Sequence, residues 1–157
     1  MQKITPFLLF DNSAEDAANF YVSVFKGAKL LGTRYYTEAG PKPKGSVLTV
    51  TFELFGREFV ALNGGPQFQF TPAISFLVEC ETQEEVDTYW EKFLEGGKPM
   101  QCGWITDRFG VTWQIVPKTL TEMLEDDDAD RLAPVMRAMF KMVKLDISGL
   151  KRAYEIK

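Results

Sequence analysis

The chain repeats itself, and this constrains its fold more than any other feature. Shifted by 69 positions, Phe7-Leu8 falls on Phe76-Leu77, Glu15 on Glu84, Phe20-Tyr21 on Tyr89-Trp90, and Gly27 with Lys29 on Gly96 with Lys98. Each copy opens with a short apolar run, residues 4–10 or 74–80, and passes a polar N-cap candidate, Ser13 or Thr82, into an amphipathic stretch of helical period. Ser13 with Asp16, and Thr82 with Glu85, have the three-residue spacing of a capping box, although Asp is a weaker match than Glu. Gly27 and Gly96-Gly97 suit left-handed helix ends, after which strand-type sequence resumes. The unit is β-α-β extended by hairpin strands, so two copies predict an α+β fold.

The hairpins give the register. SVLTVTFEL and REFVALN flank Phe55-Gly56, compatible with a two-residue turn that pairs Leu54 with Arg57, Phe52 with Phe59, Val50 with Ala61 and Leu48 with Asn63. Strand alternation then puts Leu48, Val50, Phe52, Phe59, Ala61 and Asn63 on one face. In the second copy, KPMQCGWIT and VTWQIVP are joined through Asp107 to Gly110, and Thr112, Gln114 and Val116 share a face. Residues 37–45, TEAGPKPKG, read as a surface loop that either borders a cavity or simply connects strands. The expected organisation is one domain over residues 1–118, with module one at 1–70 and module two at 71–118, and a helical tail over 119–157. In the tail Leu132, Val135, Met136, Met139, Phe140 and Val143 follow helical spacing, with acids at 126–128 and Lys141 and Lys144 at the far end. That stripe suits a core face, a cover over a cavity mouth, or a contact with a second subunit.

Composition narrows the chemistry. The chain has no histidine, which excludes a Ser-His-Asp triad, a Cys-His pair and a histidine-bound metal. A net charge of −4 without a dense Lys/Arg run argues against a nucleic-acid partner. The first apolar run is too short for a signal core or a membrane span, so we expect no membrane partner and a cytoplasmic protein. Cys80 and Cys102 lack metal or redox spacing and read as free thiols. Cys102 has no histidine to activate it as a nucleophile. Asp107 and Arg108 read as turn residues.

Asn63 and Gln114 are the informative polar residues, expected to face a shared cavity. Buried amides there either hydrogen-bond a polar ligand or satisfy each other and the backbone. Trp104 near Cys102, together with Phe52, Phe59 and Phe68, suits an apolar pocket for a flat or hydrophobic molecule, although ordinary core packing explains the phenylalanines equally well.

Paired β-α-β-β-β repeats, with Phe-Tyr in the first helix and DxxGxxWQ before the last strand, resemble the vicinal oxygen chelate superfamily. Glyoxalase I, extradiol dioxygenases and bleomycin- and fosfomycin-resistance proteins belong to it. More closely, ITPFLLFD, FYVSVF, LNGGPQF, ISFLVEC, QCGWITDRFGVTWQIVP and MRAMFKMVKLDI are similar to the PhnB-like branch, often labelled 3-demethylubiquinone-9 3-methyltransferase. The resemblance implies a half-open barrel curled from the paired modules, a homodimer, and, in metal-dependent members, one ligand from each of four strands. Those positions fall near Thr5 or Pro6, near Ile74 or Ser75, at Asn63 and at Gln114, where relatives often carry His or Glu; Gln67 also stands where His is frequent. Such a set would not hold a transition metal. The expectation is therefore a metal-independent, cofactor-free protein that binds a small apolar or aromatic molecule. One alternative is an enzyme that methylates a quinone-like phenol, although no strand, Gly-rich loop and helix unit for S-adenosylmethionine is present. Another is an interaction module that recruits a partner through Met136 and Met139.

Overall fold

The computed structural model describes residues 3–156, so Met1, Gln2 and Lys157, the outermost positions of the expected domain and tail, lie outside the described residues. The chain divides into two compact units, residues 1–69 and 70–157. The first contains β1 (Phe7–Phe10), α1 (Ala14–Val24), β2 (Lys29–Tyr35), β3 (Val47–Leu54) and β4 (Arg57–Asn63), with strand order β1-β4-β3-β2. The second contains β5 (Phe76–Cys80), α2 (Gln83–Leu94), β6 (Lys98–Pro99), β7 (Trp104–Thr106) and β8 (Thr112–Pro117), in the matching order β5-β8-β7-β6. Three helices follow, α3 (Lys118–Leu124), α4 (Ala129–Met139) and α5 (Ile147–Tyr154). In each unit the first strand runs parallel to the last, and the others pair antiparallel. This is the α+β, twice-repeated β-α-β-β-β pattern read from the sequence.

Local chemistry explains the elements. Phe55 at φ 48° and Gly56 at φ 77° are both left-handed, which is the type I′ geometry that matches strand twist, and Leu54 pairs with Arg57, Phe52 with Phe59 and Val50 with Ala61 as expected. Thr82 caps α2 by accepting the Glu85 N–H at 3.2 Å, while the Glu85 carboxylate accepts the Glu81 N–H at 2.7 Å. Ser13 occupies the N-cap position of α1 but makes no such side-chain bond, and the carboxamide of Asn63 caps the helix from across the sheet instead.

The strands of the two copies superpose one residue away from the helices. Leu8 and Phe10 are buried and pair with Ala61 and Asn63, whereas Val78 and Cys80 are buried and pair with Ile115 and Pro117. Leu8 thus corresponds to Val78, a shift of 70, while Tyr21 and Trp90 keep the shift of 69. The cause is the link into the helix, which spans residues 11–13 in the first unit and only 81–82 in the second. A one-residue slip exchanges the faces of a strand, so residues matched at a uniform shift of 69 lie on opposite sides of their sheets.

Two further expectations change. KPMQCGWIT is not one strand: it breaks into β6 and β7 because Cys102 (φ 61°) and Gly103 (φ 77°) both adopt left-handed backbone. Their N–H groups donate to the carbonyls of Met142 and Val143 at 2.9 and 2.8 Å. The helical stripe of the tail ends early, with Phe140 as the C-cap of α4 and Val143 beyond it. Lys144 pairs with Asp87 at 2.7 Å, and the following Leu145 is fully buried. Leu120, Met123, Val135, Leu145, Leu150 and Ala153 join Val116 of β8 in one hydrophobic cluster, so the tail is built into the second unit.

Candidate functional site

In the first unit, burial decides the roles. Phe52 is fully buried and Phe59 7% exposed; their rings stack at 5.5 Å, and Tyr21 of α1 stacks on Phe52 at 5.7 Å. These rings pack in the core between α1 and its sheet. Asn63 lies on the same face and is 5% exposed. Its Oδ1 accepts the Ala14 N–H at 2.9 Å, its Nδ2 donates to the Val47 carbonyl at 3.1 Å, and its own carbonyl accepts the Tyr36 hydroxyl at 2.6 Å. The amide ties the N-terminus of α1 to β3, and strand alternation turns it toward the helix, away from the open face. The opposite face of β3 and β4 is partly polar, carrying Thr49, Thr51 and Glu58 beside Val60.

In the second unit, Cys102, Trp104 and Gln114 come together. They line a cavity of about 530 Å³ with Leu77 and Val116 of the sheet on one side and α3 and α4 of the tail on the other. The sheet supplies this wall because Trp113 and Ile115 turn inward, where Trp113 stacks on Phe93 of α2 at 4.9 Å, leaving Gln114 on the other face. Trp104 pairs with Gln114 in the sheet register, so indole and amide are neighbours. Gln114 Nε2 donates to Ser75 Oγ at 2.8 Å, which orients the carboxamide and leaves Oε1 without a partner among the described residues. The tail contributes Leu120, Thr121, Leu124, Glu125, Met139 and Phe140. Leu77 (53%), Leu124 (44%) and Phe140 (56%) stay exposed, so a substantial apolar surface surrounds a few polar groups.

Sequence reasoning reaches the tail wall in part: Met139 and Phe140 belong to the stripe that suits a cover over a cavity mouth, whereas Leu120 and Leu124, four residues apart, lie outside that stripe. Other candidates resolve plainly. Asp107, 4% exposed, accepts the N–H groups of Phe109 and Val111 through Oδ1 and the Trp113 indole N–H at 2.9 Å through Oδ2. Arg108 donates to the Glu95 carbonyl and carboxylate. Phe68 is 75% exposed. Met136 is exposed, whereas Met139 is half-buried against the tail cluster. Burial, reinforced by Glu85 and Glu79, pushes the Cys80 thiol up to about 12.

The four carried-over ligand positions do not fit a transition metal. Two of them, Gln114 and Ser75, hydrogen-bond each other, and Asn63 is committed to α1 and β3. The donors are neutral amides and hydroxyls, and no group of three His, Cys, Asp or Glu side chains able to hold a metal exists among the described residues. No helix of the described residues is long and apolar enough to cross a membrane.

Paired β-α-β-β-β units of this kind define a glyoxalase-like protein of the PhnB-like branch of the vicinal oxygen chelate superfamily. The chain belongs to the family described as 3-demethylubiquinone-9 3-methyltransferase, whose model matches residues 2–116. It is 39% identical to a PhnB protein from Bacillus cereus bearing that same description, a match covering 74% of this chain and 99% of that one with a TM-score of 0.68. A protein from Pseudomonas aeruginosa shares the fold at 20% identity (TM-score 0.63; 74% of this chain, 98% of that one). So does a fosfomycin resistance protein from Mesorhizobium loti at 13% identity (TM-score 0.59; 80% and 98%). No curated protein matches the chain. The family match stops at Val116, so the tail that forms half of the cavity lies beyond it.

Proposed function

We propose that the protein binds a small, largely apolar molecule, without a metal, in the cavity of its second unit. The observation that carries this reading is the convergence of Cys102, Trp104 and a Ser75-oriented Gln114 on an apolar cavity of about 530 Å³, within the size range of small-molecule sites. Trp104 and Phe140 offer ring surface, and the carboxamide offers a directional hydrogen bond. The exposed Leu30, Leu31 and Tyr35 of the edge strand β2 support a homodimer, since an apolar edge invites a partner.

The family description raises methyl transfer as a second reading. The strand-to-helix links here, residues 11–13 and 81–82, contain no glycine, so neither offers the close backbone approach by which Gly-rich loops hold a dinucleotide or similar cofactor. This favours binding over methyl transfer.

Native mass spectrometry of freshly purified protein tests the proposal. The expected spectrum shows a two-copy species that keeps its mass after saturating Zn, Mn, Ni or Fe and gains one small organic ligand per chain from an apolar library, with Trp104→Ala lowering occupancy about tenfold. One tight stoichiometric metal, or ligand capture unaffected by Trp104→Ala, would overturn it.

A further inference from the structure

We infer that the ligand of this cavity is an apolar organic cation, an amine whose N–H groups meet Gln114 and Glu125, and that oxyanions are excluded. This rests on the binding reading above and adds the charge and head-group chemistry of the ligand. Three observations point the same way. Gln114 Nε2 gives one of its two N–H groups to Ser75 at 2.8 Å, while Oε1 has no partner among the described residues and is an acceptor that calls for a donor. Among the cavity residues Glu125 is the carboxylate, and no lysine or arginine among the described residues lines the wall. Arg137 and Lys141, near the end of α4, are exposed and stand outside the lining. Finally, α4 borders the cavity with its last residue, Met139, and its C-cap, Phe140, and the C-terminal end of a helix carries partial negative charge, which favours a cation.

The apolar lining completes the class. Trp104 and Phe140 supply aromatic rings to the wall, a side-chain type whose faces attract cations, and Leu77 and Leu124 accept the hydrocarbon body. A carboxylate or phosphate in the same place would find the Glu125 carboxylate, the negative end of α4 and no lysine or arginine among the described residues of the wall, and would lose its hydration with little compensation.

Isothermal titration calorimetry at pH 7 with three ligands of one shape tests this: 1-naphthylmethylamine, 1-naphthalenemethanol and 1-naphthoate. The amine should bind tightest, the alcohol more weakly, and the carboxylate on the order of 100-fold more weakly than the amine. Glu125→Gln should reduce the advantage of the amine over the alcohol by about two- to fivefold, as expected of an exposed ion pair. Gln114→Met, which keeps the side-chain length, should weaken both donors. Carboxylate binding within threefold of the amine, or an unchanged amine preference in Glu125→Gln, overturns the cation inference while leaving the cavity reading intact. If none of the three binds, the cavity reading falls with it.

Discussion

Asn63 and Gln114 are the same kind of side chain in two opposite situations. Asn63 is enclosed, with its carbonyl oxygen on the first N–H of α1 and its amide on β3; Gln114 borders a cavity with one end anchored and the other open. Removing the Asn63 amide strands the buried Ala14 N–H and the half-buried Val47 carbonyl, and each stranded group costs about 1–3 kcal/mol. Asn63→Ala should therefore destabilise the protein by about 2–4 kcal/mol in urea denaturation, while ligand affinity in the second unit stays at the wild-type value. A loss of affinity without a loss of stability would assign Asn63 to a ligand. The two residues look alike in sequence because each sits in an apolar strand. Only the sheet face separates them, and that face depends on a register that one residue can reverse.

At the scale of elements, the break in KPMQCGWIT shapes the cavity. Gly103 holds φ 77°, and a Cβ placed there would lie 2.8 Å from both the Ile115 carbonyl oxygen and a Leu145 methyl. Gly103→Ala combines left-handed strain with a backbone clash and should cost at least about 2 kcal/mol. Thermal unfolding would read the loss, and hydrogen exchange would show the Cys102 amide opening first; an unchanged melting temperature would mean that the turn tolerates a side chain. The elements themselves were legible in the sequence: repeat, period, capping residues and the Phe55-Gly56 hairpin are local, and the hairpin register follows from its turn. The break at 100–103 was not, because Cys102 is left-handed in order to meet carbonyls some 40 residues away. Likewise the cap of α1 comes from Asn63, a strand residue that no window around Ser13 contains. The site was half legible. Trp104 and Gln114 pair in one sheet and could be grouped by alternation, with Cys102 in the turn just before β7, whereas Phe52 and Phe59 have the same composition as pocket residues but face a helix.

Over the whole molecule, the family-matched residues and the tail are physically inseparable in the second unit. Val116 ends the matched segment and is also a member of the tail's hydrophobic cluster, which continues through Leu120, Val135, Leu145 and Leu150. A chain ending at Pro117 should keep hydrogen-exchange protection in β1, β3 and β4, but lose it at least about tenfold in β7 and β8, where the apolar cover is removed. Equal protection in both units would show that the tail is dispensable. The bonds from Cys102 and Gly103 to Met142 and Val143 also bear on synthesis. On the ribosome the first sheet has all its strands once residue 63 has emerged, and the second once residue 117 has emerged. The cavity wall waits for another 26 residues, until Val143 arrives, so a nascent chain completes both sheets before that wall can be fastened.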